Sequence, residues 1–219
     1  MIYTNGPYGG QFLREASALS IDYRQARFLL SAAEPRQLPA DSGVEVAFAG
    51  RSNAGKSSAL NAITDQKRLA RVSKTPGRTQ QINVFPIGAA ESPARLIDLP
   101  GYGYAKAPPA LRAHWEQALP GYLETRRSLR GLMLIVDVRR ALGPLDAQML
   151  RWCAAADLPV HILLSKADKQ GRGAGAATLR SLRRAAQAIC PGSSAQLFSA
   201  PTRAGVDAAR AQLDRWLQA

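Results

Sequence analysis

Residues 50–58 read Gly50-Arg51-Ser52-Asn53-Ala54-Gly55-Lys56-Ser57-Ser58, a complete G-x-x-x-x-G-K-[ST] match. The stretch before it, 44–49, is a short apolar run, and 56–63 carries helical patterning. A glycine-rich turn between a strand and a helix is the setting in which this motif has its chemistry. Gly50 and Gly55 let the backbone close around phosphate without a side-chain clash. Successive backbone N–H groups and the helix N-terminus then point at negative charge. Lys56 is spaced to reach β- and γ-phosphates, and Ser57 to put its hydroxyl on magnesium.

Outward from this turn, strand-like segments at 81–85, 95–99, 132–138, 160–164 and 196–198 alternate with helical ones at 109–125, 144–155, 176–189 and 204–217. Such alternation predicts an α/β fold, a mainly parallel sheet with helices on both faces. In such folds ligands bind beyond the carboxyl ends of the strands. Residues 1–25 read as an N-terminal extension and 26–219 as the domain, with a strand at 26–31 and breakers at Pro35, Pro39 and Asp41-Ser42-Gly43.

Two further motifs fall at strand ends. Asp98-Leu99-Pro100-Gly101 is a D-x-x-G pattern, in which the carboxylate holds magnesium through water and the Gly101 N–H meets the γ-phosphate. Upstream lies Lys74-Thr75-Pro76-Gly77-Arg78-Thr79, where Thr79 or Thr75 can supply a second hydroxyl to magnesium. Loss of the γ-phosphate would release both segments together. Ser165-Lys166-Ala167-Asp168 is close to the base-reading pattern [NT]-K-x-D. One carboxylate accepts the guanine N1–H and 2-amino group side by side, a donor pair that adenine lacks. Asp168 therefore selects guanine, and the stem of Lys166 covers one face of the base. Phe198-Ser199-Ala200 follows the last short strand, where a backbone N–H can meet the guanine carbonyl oxygen.

Taken with GRSNAGKSS, the stretches TPGRTQQINVF (75–85), DLPGYGYAK (98–106), SKADK (165–169) and FSA (198–200), and the FLLSAAEPRQLP lead-in (28–39), resemble the EngB (YihA/YsxC) family of bacterial ribosome-assembly GTPases. The resemblance runs from about residue 26 to 217. It implies a single Ras-like G domain of three layers within the translation-factor-related GTPases. It also implies a role in large ribosomal subunit assembly and in normal cell division and septation. By matching positions, Gly50, Arg51, Ser52, Asn53, Ala54, Gly55, Lys56 and Ser57 line the nucleotide. So do Gly77, Arg78, Thr79, Gln80 and Gln81, then Asp98, Leu99, Pro100 and Gly101. Ser165, Lys166, Ala167 and Asp168, with Phe198, Ser199 and Ala200, complete the set. Ser57 and Thr79 become the direct magnesium ligands, which favours Thr79 over Thr75, and Lys56, Thr79 and Gly101 the catalytic groups. Ser165 departs from the family's usual threonine. It keeps the hydroxyl and drops the methyl, so the loop is expected to be held less tightly.

Hydrolysis is expected to be slow. Ras-like enzymes carry a water-orienting glutamine just after D-x-x-G, and Tyr102 at that position has no amide. Asn53 is a candidate potassium ligand beside the phosphates, or alternatively a brace for the loop.

The formal net charge is +13. Residues 101–219 hold 17 basic against 8 acidic side chains, so the excess lies mainly in the second half. The clusters are Arg126, Arg127 and Arg130, then Arg139 and Arg140, then Arg172, Arg180, Arg183 and Arg184. Such a field favours polyanions, nucleic acid or an anionic membrane surface; the resemblance implies ribosomal RNA or a large-subunit precursor as the partner besides GTP and GDP. Lys74, Arg78 and Lys106 flank the switch segments and can gate that surface. Cys153 and Cys190 have no ligand spacing, and His114 and His161 belong to no cluster. No signal pattern or bilayer-length apolar run is present, so the chain reads as cytoplasmic and without membrane insertion. A monomer is expected. Asp168 opposes a P-loop ATPase or kinase; a membrane or septum scaffold has only the charge and the family description behind it.

Overall fold

Strand β2 (Val44–Gly50) is buried along nearly its whole length, as are β5 (Leu129–Asp137) and β6 (Val160–Ser165). Continuous Val, Ile and Leu runs of this kind form strands only where both faces are covered. The structure is a computed structural model and describes residues 21–70, 81–88, 94–103, 109–140 and 142–218. The remaining strands are β1 (Leu30–Ala32), β3 (Ile82–Pro86), β4 (Ala94–Asp98) and β7 (Ser194–Leu197). Their order is β1-β3-β4-β2-β5-β6-β7. The β1–β3 and β3–β4 pairs are antiparallel and the rest parallel.

Helices α2 (Pro109–Thr125), α3 (Pro144–Ala155) and α4 (Arg172–Ile189) cover one face, with Leu123, Leu150 and Leu182 in its core. Helices α1 (Lys56–Ile63) and α5 (Val206–Leu217) cover the other through Leu60, Ile63 and Leu213. The result is the expected three-layer α/β architecture. Trp216 of α5 lies against Gly131 of β5, where a Cβ would fall 2.6 Å from the indole ring. Trp152 is partly buried on α3.

The sequence places the α4 start at 176, but the helix begins at Arg172 and runs through Gly173 and Gly175, whose weak propensity hid it. The strand expected at 26–31 is confined to Leu30–Ala32. Before it, Tyr23–Gln25 forms a 3₁₀ turn, and Tyr23 is buried in the core. Its hydroxyl donates to Asp214 Oδ1 at 2.6 Å, and the Arg210 guanidinium lies 6.0 Å from its ring centre. The expected break between 25 and 26 therefore falls inside a stretch packed on α5.

At the amino ends of the strands, Glu45 is fully buried. It accepts from Arg95 Nε at 2.7 Å and from Arg126 Nε and Nη2 at 2.9 and 2.7 Å. The two guanidiniums also donate to the carbonyls of Pro39, Ala40 and Ser42. Asp41 accepts the backbone N–H groups of Arg127 and Ser128. Arg126 is thus a structural cation, a correction to its place among the open basic clusters.

Candidate nucleotide-binding site

Strand β2 delivers the phosphate loop to the carboxyl end of the sheet. Gly50 serves a need the sequence did not reveal: a Cβ there would lie 2.7 Å from the Ile135 carbonyl oxygen of β5. Its small size permits close strand approach as well as any approach to phosphate. Gly55, which caps α1, has φ +106°, a region that disfavours L side chains. Asn53 also has positive φ, at 64°, a conformation asparagine tolerates better than most residues. Its side chain is exposed.

Lys56 opens α1 and pairs with the Asp98 carboxylate at the end of β4. Both are buried, and Asn83 Nδ2 donates to the second Asp98 oxygen at 3.3 Å. The fold therefore joins the lysine of the phosphate loop to the acid of D-x-x-G. Ser57 is half-buried beside them, and its hydroxyl has no hydrogen bond among the described residues. Gly101 packs on the loop, where a Cβ would sit 3.5 Å from the Ser52 nitrogen. Leu99 and Pro100 are buried, and the Leu99 N–H donates to the Phe48 carbonyl. Their side chains belong to the core, while the flanking Asp98 and Gly101 face the loop. Gln81 is exposed ahead of β3; Lys74, Thr75, Gly77, Arg78, Thr79, Gln80 and Lys106 lie outside the described residues.

Tyr102 bridges two regions. Its N–H donates to the Gly50 carbonyl and its own carbonyl accepts the Ser52 N–H at 2.8 Å, which fixes the backbone to the loop. Its hydroxyl donates to Asp146 Oδ1 of α3 at 2.8 Å. Asp146 Oδ2 accepts the Gly143 N–H at 2.9 Å, capping that helix. Burial and the Asp146 charge raise the phenol well above its ordinary range. The tyrosine is thus directed to α3.

The base-reading motif follows β6. The Ser165 hydroxyl donates to the Ala54 carbonyl at 2.5 Å and lies 3.1 Å from the Val136 carbonyl. Despite its missing methyl, Ser165 ties the phosphate loop to the motif. Lys166, at φ 58°, donates through Nζ to the Asn53 carbonyl at 2.7 Å and to Asp137 Oδ2 at 2.9 Å. The Ala167 N–H donates to the Phe198 carbonyl, and Phe198 is buried in the core. Asp168 Oδ1 accepts from the buried Ser199 hydroxyl at 2.7 Å, and Oδ2 lies 3.3 Å from Lys169 Nζ. These contacts, Ser199 first, lower the Asp168 carboxyl below its ordinary range. The Ala200 N–H has no hydrogen bond among the described residues.

Asp137 is a site residue the sequence reading missed. It ends β5 and is buried. Burial alone would raise its carboxyl, but Arg139 and Lys166 override this and hold it well below the usual carboxylate range. Arg139 grips it with Nε at 3.0 Å and Nη2 at 2.7 Å. The available signal was a lone acid closing an otherwise apolar run. His161 is buried in β6 between Ser194 and Gln196, away from these groups.

The arrangement offers a cationic, N–H-rich cradle for phosphates and a carboxylate poised to accept from a base edge. Ser57 and Asp98 supply hard oxygen donors, a set that fits magnesium. No cluster of three His, Cys, Asp or Glu side chains that could hold a metal ion occurs among the described residues.

A sequence profile described as "50S ribosome-binding GTPase" matches residues 45–166. The chain is 54% identical over 195 residues to the probable GTP-binding protein EngB of Nitrosococcus oceani, covering 89% of this chain and 96% of that one. It is 49% identical over 203 residues to the protein of the same name from Escherichia coli O1:K1 / APEC, covering 92% and 93%. Its fold is similar to a crystal structure of a probable GTP-binding protein engB, with TM-score 0.62, 19% identity, and coverage of 80% of this chain and 99% of that one. It is also similar to Era in complex with MgGDPNP and nucleotides of 16S ribosomal RNA, with TM-score 0.61, 21% identity, and coverage of 80% and 57%. Among the described residues no helix is long and apolar enough to cross a membrane.

Proposed function

The chain belongs to the EngB family of GTP-binding proteins and is a P-loop GTPase, and on that premise we propose that it is a slow GTP/GDP switch in large ribosomal subunit assembly. Normal cell division and septation depend on it in this reading, and it works as a cytoplasmic monomer. The observation that carries the proposal is the convergence of Lys56, Asp98, Ser165 and Lys166 around one phosphate loop, in a family described as binding the 50S ribosome.

In this assignment the residues from Gly50 to Ser57 cradle the phosphates. Lys56 transfers its charge from Asp98 to the β- and γ-phosphates, and the Gly101 N–H meets the γ-phosphate. Ser57 and Thr79 would hold magnesium directly and Asp98 would hold it through water. When bound, magnesium neutralises charge that develops on the phosphate oxygens. Asp168, oriented by Ser199, accepts the two guanine donors, and Lys166 keeps its stem along the base by anchoring on Asn53 and Asp137. The Ala200 N–H meets the guanine carbonyl.

Tyr102 supports the slow rate, because its hydroxyl is bonded to Asp146 and it has no amide to orient water. The same residue favours a second reading, a nucleotide-gated RNA-binding assembly factor whose hydrolysis is incidental. Potassium on the exposed Asn53 side chain is the proposed aid to hydrolysis. Equal turnover in potassium and sodium, unaltered by Asn53→Ala, would remove it.

The ribosomal role is tested by sedimentation with purified large-subunit particles. The chain is expected to co-sediment with a non-hydrolysable GTP analogue and much less with GDP. Equal recovery in both states contradicts the switch, and no recovery at low salt removes the ribosome as direct partner.

A further inference from the structure

The basic excess divides into two kinds of arginine. Arg126 is consumed by Glu45, Arg139 by Asp137, and Arg183 by the Ala195 carbonyl. Arg127, Arg130, Arg140, Arg151, Arg180 and Arg184 are exposed and carry no ion pair among the described residues. Arg127 lies in the turn before β5, and the others lie on β5, on the turn that follows it, or on α3 and α4. Only some were legible as a cluster; Arg151 stands alone in the sequence and joins the others through the fold.

Helices α3 and α4 pack together and both descend from the nucleotide end, since each follows a parallel strand. Arg151 comes seven residues after Pro144 and Arg180 eight after Arg172. At about 1.5 Å per residue they stand at nearly the same depth, with Arg184 about one turn further down. Helix α4 contains no acidic residue. The acid of α3, Asp146, is buried in its own cap. Among the described residues, the exposed acids bordering this face are Asp157, in the turn after α3, and Glu124, near the end of α2.

We propose that this α3–α4 arginine face docks structured RNA. The proposal rests on the ribosomal reading above and supplies its contact surface. A one-signed surface complements a polyanion. The free cations are arginines, whose planar forks pair with phosphate bidentately and stack on unpaired bases. An anionic membrane fits less well, because the exposed large apolar side chains among the described residues, Phe28 and Leu29, lie next to β1 at the opposite sheet edge. The Arg140 N–H donates to the Asp137 carbonyl at 2.8 Å, so the RNA face begins where Lys166 is anchored.

The test is filter binding of the full chain to a transcribed domain of large-subunit ribosomal RNA across a salt series. Arg180→Glu/Arg184→Glu should bind about tenfold or more weakly, while Arg180→Gln/Arg184→Gln should lower the salt slope by about 1.5, the share of two phosphate contacts. Lys67→Glu/Arg68→Glu, exposed cations after α1, serves as the charge-matched control and should bind like wild type. GTP binding reports folding for every variant; where the reversal pair loses it, the glutamine pair carries the test. Equal RNA binding by the α4 variants and the control overturns the proposal. So does wild-type binding to phosphatidylglycerol vesicles but not to RNA. Particle sedimentation separates the two readings. Undiminished recovery of the α4 variants refutes the face and leaves the ribosomal role standing. RNA binding through the face, without recovery on particles, supports the face and refutes the ribosomal role.

Discussion

The two ends of the sheet both bury charge and treat it in opposite ways. Around Glu45 the charges are closed on themselves: two guanidiniums share one carboxylate, and the Nη2 group of each also reaches loop carbonyls. At the carboxyl ends, Lys56 meets only Asp98 among the described residues, and Asp168 meets one serine and one lysine at the rim of the site. A buried ion pair stabilises little unless its other donors and acceptors are satisfied. The Glu45 carboxylate, bonded on both oxygens, meets that condition without any ligand. The Lys56–Asp98 pair leaves donors and lone pairs over, which in the proposed assignment phosphate and magnesium would take. On that proposal the first end serves stability and the second exchange of partners.

Variants can break this contrast. Glu45→Ala should cost the most, about 3–5 kcal/mol, because it strands two nearly buried cations. Urea unfolding measures it, and the surviving folded protein should keep its preference for GTP over ATP. A matching change in nucleotide preference would mean the ends are not separate. Ser165→Ala comes next, at about 1–3 kcal/mol, since it strips the bond that joins the base motif to the loop. Here GTP affinity should fall along with stability. Gly55→Ala should cost about 1–2 kcal/mol, the strain of a left-handed L residue, and should show chiefly as weaker nucleotide binding by titration. Tyr102→Phe should be mildest, about 1 kcal/mol in thermal unfolding, with turnover still low. A marked rise in its turnover would show that the tyrosine holds the site back.

The phosphate loop was legible because its geometry is local, and α1, α2 and α3 begin and end where their sequence signals place them. Pro109 and Pro144 mark first turns without any need of tertiary context. What was not legible depended on partners remote in the chain. Arg126 and Arg127 are neighbours of one type, yet Glu45, 81 residues away, buries one and not the other. Asp137 looks like the polar end of a strand until Lys166, 29 residues on and at positive φ, meets it. Gly50 reads as a phosphate glycine, and only β5 shows that strand packing demands it too. The weakness expected of Ser165 is offset by its hydroxyl contact with Ala54.

Competition binding at Asp168 tests the central claim most directly. Labelled GDP should be displaced from the wild type by GTP but not by ATP, even at large excess. Asp168→Asn should weaken GTP by about 1.5–3 kcal/mol, the cost of a charged hydrogen-bond partner. It should gain affinity for xanthosine triphosphate, whose 2-oxo group suits an amide donor. Equal displacement by ATP and GTP in the wild type, or an unchanged GTP preference in Asp168→Asn, would contradict the assignment of Asp168 as the reader of guanine.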